Sequence, residues 1–421
     1  MKKIINICLL LMLFGFEVTA QQFDLSAEIR PRFESKHGYK SLIGKGVDAG
    51  NFVSQRSRLN FKFKQNNIQL GMTMQNVRVW GDVSTLSAKD NASNLHEAWA
   101  TAILNDKFAL KLGRQEIVYD DHRIFGSVGW AQQARSHDAL IAKITPAEHQ
   151  KLDIGFAMNA DGQGGVDKLY SGVAGYKNFQ YAWYHGDFNK LGLSVLVLNR
   201  GGEYQKDSVT QKVDYMQTVG PRFTYKAGKF SANAAAYFQT GKSKNNDVKA
   251  SYYALNLGYK IMDNLSFGAG MEYLSGKDMN DTDKTIKSFA PLFGTNHKFN
   301  GWMDYFYVGN HGGSVGLMDI NANLAYKKNK FSAKVIPHFF SSAADIYKGT
   351  TKMDANLGTE VDMVVGYKIS KGITAKAGYS MMFATESMEI LKGGSKDESN
   401  TWGWFMFVFK PTLFSYKKMN N

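Results

Sequence analysis

Phe23-Asp24-Leu25-Ser26-Ala27-Glu28-Ile29-Arg30 carries an apolar residue at every odd position and a polar one at every even position. A period of two belongs to a β-strand with one greasy face and one wet face, because successive side chains point to opposite sides of the sheet. The pattern returns far along the chain. Leu152, Ile154, Phe156 and Met158 alternate with Asp153, Gly155, Ala157 and Asn159, and Val361, Met363 and Val365 alternate with Glu360, Asp362, Val364 and Gly366. A soluble sandwich alternates too, so the connections must separate the two.

Strand-like segments number about eighteen, running from 22–34 through 131–145 to 401–412, an allowed even number for an outer-membrane barrel. The links between them alternate short and long. Gln65-Asn66-Asn67, Asn105-Asp106-Lys107, Ala227-Gly228, Met262-Asp263-Asn264, Lys328-Asn329-Lys330 and Ser370-Lys371-Gly372 are tight and rich in turn residues. The links at 35–53, 80–94, 117–130 and 275–314 are long. This parity is that of a barrel with tight periplasmic turns and extended extracellular loops, and it puts both chain ends on the tight-turn side. The aromatic run Trp402-Gly403-Trp404-Phe405-Met406-Phe407-Val408-Phe409 must then pair with the first strand, because lipid would leave two open edges unsatisfied. The expected fold is all-β: one closed antiparallel transmembrane β-barrel.

Composition excludes the alternatives. Aromatic residues make up 13% of the 421 residues, too many for a disordered polymer. A bundle of lipid-spanning helices would need several runs of about 20 apolar residues, which the chain lacks. At the N-terminus Lys2 and Lys3 precede the apolar run from Ile4 to Phe16, and Val18-Thr19-Ala20 offers small residues for cleavage. Residues 1–20 therefore read as a Sec signal peptide and 21–421 as the barrel, bound for a Gram-negative outer membrane. The single cysteine, Cys8, lies inside the leader, leaving the mature chain without disulfides. The 51 Lys and Arg against 37 Asp and Glu give a formal charge of +14, and losing the leader lowers it by only one. Such a charge calls for an anionic partner: lipopolysaccharide, an anionic solute or an acidic saccharide. Export argues against nucleic acid.

If the apolar positions face lipid, the interior carries Arg30 and Arg32 on the first strand and Arg56 and Arg58 on the second, followed by Lys62 and Lys64. Same-face residues two apart lie about 7 Å from each other and neighbouring strands about 4.8 Å apart, so the four arginines form one patch. Two readings stand: a salt-bridge ladder with Asp24, Glu28 and Glu34 that stiffens the wall, or a positive lumen whose guanidinium forks suit carboxylate or phosphate. Further inward candidates are Arg222, and Lys334 with His338, with Glu272, Asp319, Glu360 and Asp362 as expected counter-charges.

Three segments need weighing. Gly113 to Arg123 leaves a strand for a loop dense in charge, and Arg123 at its end is a further candidate for the pore. Its Asp120-Asp121-His122 is too tight and generic to support a metal site or a catalytic pair, and reads as a solvated turn or a clamp for nearby arginines. No nucleophile elbow, phosphate loop or paired-histidine motif is seen, so no enzyme activity, metal or cofactor is expected. Phe289 to Tyr307 contains Phe293, His297, Phe299, Trp302 and Tyr305. So aromatic a loop should fold inward or over the mouth, as a plug or as a surface for sugar rings, with His297 and Trp302 the candidates for solute contact. Gly162-Gln163-Gly164-Gly165 has no adjoining helix and does not suggest phosphate binding.

Gln55-Arg56-Ser57-Arg58-Leu59, Leu95-His96-Glu97-Ala98-Trp99 and Leu112-Gly113-Arg114-Gln115 resemble the alginate-export family of outer-membrane barrels, as does Arg123-Ile124-Phe125-Gly126 leading to Gly129-Trp130. The loop Phe293-Gly294-Thr295-Asn296-His297-Lys298-Phe299-Asn300-Gly301 is similar to one in its Bacteroidetes-type members. Motif-level likeness covers roughly 50–145 and 289–307. The resemblance implies an eighteen-stranded monomer whose arginine-rich lumen passes an anionic uronate polymer, with Arg56, Arg58, Arg114 and Arg135 on the inward basic track. Two functions remain open: a passive porin for anionic solutes, or a structural or adhesive barrel with a plugged lumen whose loops bind saccharide or a partner.

Overall fold

A computed structural model describes residues 22–89, 92–163, 175–208, 210–306 and 314–417. The proposed leader at 1–20, Gly164, Gly165 and Tyr307 lie outside the described residues. Eighteen antiparallel strands close into one barrel. They are β1 (Gln22–His37), β2 (Gly50–Gln65), β3 (Ile68–Val79), β4 (Ser93–Asn105), β5 (Phe108–Gln115), β6 (His137–Ile144), β7 (Gln150–Met158), β8 (Asn178–Phe188) and β9 (Leu191–Gln205). There follow β10 (Gln211–Ala227), β11 (Phe230–Ser243), β12 (Ala250–Met262), β13 (Leu265–Leu274), β14 (Leu317–Lys328), β15 (Phe331–Ser341), β16 (Asn356–Ser370), β17 (Ile373–Ala384) and β18 (Asn400–Phe409, resuming at Thr412–Lys417). One short helix, α1 (Glu386–Lys392), occupies the last long link.

Closure is made by β1, which pairs with β2 on one side and with both segments of β18 on the other, from His37↔Thr401 down to Gln22↔Lys417. The register shifts between Leu25 and Ser26, opposite Leu413, and the ladder of β18 is interrupted close by at Lys410-Pro411. Proline has no N–H to give to a ladder, so a bulge is its allowed place in a sheet. At the turn end, Asn66, Asn189 and Asn329 hold φ of +47°, +59° and +53°. Tight hairpins require that left-handed backbone, which asparagine tolerates.

The period-two pattern partitions the wall as the sequence implies. On β1, Arg30 and Arg32 are 8% and 5% exposed while Ile29 and Phe33 are 46% and 43% exposed. Exposed Tyr225, Phe230, Tyr259, Phe267, Phe331 and Tyr367 cluster on the outer surface beside the turns, as an interfacial aromatic girdle does. The hydrophobic core is inside the barrel. Loop 116–136 and the described parts of the next long link, 275–306 and 314–316, fold into the lumen, where Phe125 and Phe293 form a parallel bridge. Ile124, Phe125, Phe289, Phe293, Met303 and Tyr305 are buried against wall residues such as Tyr181, Leu198, Tyr252 and Trp402. The aromatic stretch around 289–306 thus escapes water by lining the interior, consistent with its expected inward folding.

Candidate functional site

The two inturned loops meet the wall through a basic face and an acidic face. On the basic face Arg30 and Arg56 stand opposite each other in the β1–β2 register. Arg56 pairs with Glu28, and Arg32 with Glu34 at 2.9 Å. Arg30 has no carboxylate partner among the described residues; it donates to the carbonyl oxygens of Gly129 (2.8 Å), Trp130 (3.1 Å) and Ala131 (3.3 Å) and to Gln132 Oε1. Arg32 donates to the Trp130 carbonyl at 2.8 Å and lies 4.0 Å above the Trp130 ring. Arg58 bonds Gln75 at 2.7 Å, lies 3.8 Å from Glu116 and keeps one buried Nη2 without a partner among the described residues. The patch combines the two readings of the sequence: two ladder pairs, and surplus charge satisfied by loop carbonyls.

The acidic face is built by β13 to β16. Asn300 donates to Glu272 (3.0 Å) and Asp319 (3.2 Å), the Trp302 amide donates to Asp362 at 2.9 Å, and the Met303 amide to Glu360 at 2.7 Å. His338 Nδ1 contacts Asp319 at 3.0 Å. Arg123, fully buried in loop 116–136, meets Glu272 at 2.9 Å and Asn300 at 2.8 Å. Burial pulls the Arg123 pKa down, but Glu272, Tyr252 and Asp121 together outweigh it and raise the value.

Several candidates are placed otherwise than expected. Arg114 shares the outward parity of β5 with Leu110 and Leu112 and pairs with Asp138 at 2.8 Å, about half exposed, so it is off the inward track of the strand wall, although at the strand's end it borders the loop-side cavity. Segment 131–136 is not strand but loop, so Arg135 sits within the plug and donates to the Gly294 carbonyl at 3.1 Å. Arg222 faces inward as expected, but its counter-charge is Asp121 and none of the wall carboxylates proposed for it. The clamp reading of Asp120-Asp121 fits: Asp120 also accepts from Trp183 Nε1 at 3.1 Å. Lys334 faces inward without a carboxylate within 4 Å among the described residues. His297 is buried, bonded to Asp304 at 2.8 Å and stacked on Trp130 at 4.7 Å; Trp302 contributes its amide. Both hold the plug together and neither is presented as a free sugar platform. Gln132, Asn300 and Asp304 complete the network without having been signalled as charged motifs.

Glycine at 301 is required. Its φ is +80°, and a Cβ there would fall 2.5–2.7 Å from the Glu360 carboxylate. Gly301→Ala should lift 299–303 off the acidic face, at a cost of about 1–3 kcal/mol. The expected readout is faster cleavage of that segment by protease added to folded protein; an unchanged cleavage rate would refute the contact's role.

The plug divides the lumen. A cavity of 1350 Å³ on the loop side is lined by Arg135, His137, Tyr176, Arg200, Met216 and Gln239. A cavity of 860 Å³ on the turn side is lined by Thr224, Asn233, Asn256 and Asn323. The strand faces toward the turns carry Lys62, Lys64, Lys111 and Lys334, none within 4 Å of a carboxylate among the described residues.

A family model described as alginate export matches residues 21–400. The chain belongs to the alginate-export family. No curated protein sequence matches it. Solved structures of similar fold include the outer membrane protein OpdK from Pseudomonas aeruginosa, at 11% identity and TM-score 0.60, covering 94% of this chain and 99% of that one. OpdK with vanillate matches at 10% identity and TM-score 0.60, covering 94% and 99%. OccAB4 from Acinetobacter baumannii matches at 12% identity and TM-score 0.64, covering 96% and 100%. This alginate-export barrel has the fold of an outer-membrane porin, and its family and fold are those of a transport channel.

Proposed function

We propose that this barrel is a passive, monomeric outer-membrane channel for anionic solutes, acidic uronate-type saccharides among them. The observation that carries the reading is the luminal distribution of cations. Arg30, Arg32, Arg56 and Arg58 line one wall at mid-depth, and Lys62, Lys64, Lys111 and Lys334 continue inward faces toward the turns without paired carboxylates among the described residues. A low-dielectric wall focuses such charge on the water it encloses, lowering the barrier for anions and raising it for cations. Family membership supports the uronate class, and the fold's occurrence in OpdK with vanillate, a carboxylate, agrees with an anionic solute.

Planar-bilayer recordings in a salt gradient are expected to give a reversal potential of anion-preferring sign. The double variant Arg56→Ala, Arg58→Ala should move it toward zero. A cation-preferring wild type would rule the reading out. The filled mid-section favours a second reading, a structural or adhesive barrel whose loops bind saccharide. Absence of conductance in wild type, joined to saccharide binding by intact protein, would select it.

A further inference from the structure

The plug is not held equally on all sides. Loop 129–132 is fastened to β1 and β2 by Arg30, Arg32, Arg56 and Gln132, and segment 300–303 to β13, β14 and β16 by four hydrogen bonds to carboxylates. Toward β10 and β11 the seam is thinner: the Arg222–Asp121 ion pair, and Gln239 bonded to the backbone of Ala290 at 2.8 and 2.9 Å. This seam also separates the two cavities. Along β10, Met216 lines the loop-side cavity and Thr224 the turn-side cavity, while Thr218 and Arg222 between them are buried.

Asp121 has an unusual setting. Its flanking residues Asp120 and His122 hold φ of +51° and +73°, and Val128 further along holds +51°. Left-handed backbone at non-glycine residues costs about 1–3 kcal/mol each, and a β-branched residue is rarely found there. Loop 116–136 therefore keeps its shape because its anchors impose it. Lys298, exposed within the lumen, donates from Nζ to the Asp121 carbonyl at 2.9 Å. Water reaches the Lys298 side chain, but partial desolvation by the surrounding wall and the nearby Arg222 lower its pKa against the opposing pull of Asp121, and burial and Lys298 lower that of His122. Arg222 and Lys298 thus converge on one aspartate, with His122 and Lys334 close behind and Glu272 the other carboxylate in reach of Lys298.

We propose that Asp121 is a displaceable internal counter-ion: a carboxylate-bearing solute arriving from the turn-side cavity takes the place of the Asp121 carboxylate on Arg222, draws Lys298 from the Asp121 carbonyl as its second cation, and frees the seam against β10. The chemistry is an exchange of one carboxylate for another on a guanidinium fork, with no covalent step. The Asp121 carboxylate returns to water as the solute leaves it, and the strain at Asp120 and His122 favours release. The inference rests on the anion-channel reading and adds to it a seat, a side of approach and a coupling between occupancy and opening.

Galacturonate serves as the probe, with full-length protein in detergent for calorimetry and in planar bilayers for conductance. Asp121→Asn removes the competitor and should bind galacturonate about tenfold more tightly than wild type, while Lys298→Gln should bind about tenfold more weakly. In bilayers, galacturonate on the turn side should raise wild-type conductance, and Asp121→Asn should begin at the raised level and respond little. Unchanged affinity in Asp121→Asn, or full affinity in Lys298→Gln, overturns the proposal. Lys298 is exposed, so its variant decides the matter even if the aspartate variant does not fold. An anion-preferring reversal potential together with unchanged affinities would sink this site alone; a cation-preferring one would sink the channel reading beneath it.

Discussion

Arg30→Ala is expected to raise single-channel conductance several-fold while leaving the barrel wall folded. Arg30 makes its hydrogen bonds to the backbone of 129–131 and to Gln132, and none to a carboxylate among the described residues. Hydrogen bonds from a charged donor contribute about 1.5–3 kcal/mol each, so losing two of them shifts a loop between docked and undocked states by about a hundredfold or more. The wall should not suffer. Arg30 faces Arg56 across the strand pair, and its removal relieves like-charge repulsion while the Arg56–Glu28 pair stays in place. Recordings at fixed voltage test the point, with circular dichroism confirming strand content. A variant conducting like wild type would mean that loop 116–136 is positioned by its other contacts.

The second large effect is expected at Arg123. Its guanidinium is 2% exposed, paired with Glu272 and within 5.1 Å of the Tyr252 ring centre. Arg123→Met preserves much of the stem but strands Glu272 beside Asp319, and breaking a buried pair from one side costs about 3–5 kcal/mol. Heating should then release the plug well before the wall, seen as an early change in Trp130 and Trp302 fluorescence. Adding Glu272→Gln removes the orphaned charge and should restore most of the loss, since a buried pair replaced on both sides is often close to neutral. Equal melting of wild type, single and double variants would show that the pair carries little of the plug's stability.

The wall was legible because lipid enforces it. Each strand must put its apolar set outward, and the eighteen-fold count and both tight-turn ends follow from that pressure repeated along the chain. The arginines at 30, 32, 56 and 58 were legible for the same reason. Arg114 illustrates a signal that was present and outweighed: Leu110 and Leu112 fix the outward parity of β5, and Arg114 shares it, although the family likeness implied the reverse. At the strand's end an outward arginine reaches the polar boundary and a partner, Asp138, which makes that position tolerable.

The plug was legible only as an aromatic excess with nowhere else to go. Its fastenings were not, because they are largely backbone groups. The carbonyls of Gly129, Trp130 and Ala131 and the amides of Trp302 and Met303 do most of the holding, and every residue owns such groups. Nor did residue spacing show that Asp121 would reach Arg222, a hundred positions on, in preference to the wall acids. Helix α1 was hidden likewise: its Thr385 cap and Gly393 stop are ordinary in a long link.

Trp130 touches both strands at which the cylinder is sewn shut. Its ring lies under the Arg32 guanidinium of β1 and packs edge-on against Trp402 and Trp404 of β18, 5.6 and 4.8 Å away. A join that is otherwise like any other pair of neighbours thereby gains an inner latch, supplied by a loop synthesised long before the final strand. During biogenesis the latch has only half its socket until β18 arrives, so the last step of closure and the docking of this loop reinforce each other. Maturation of the cylinder is thus made more nearly all-or-none, and an unsewn intermediate is marked by a bare indole.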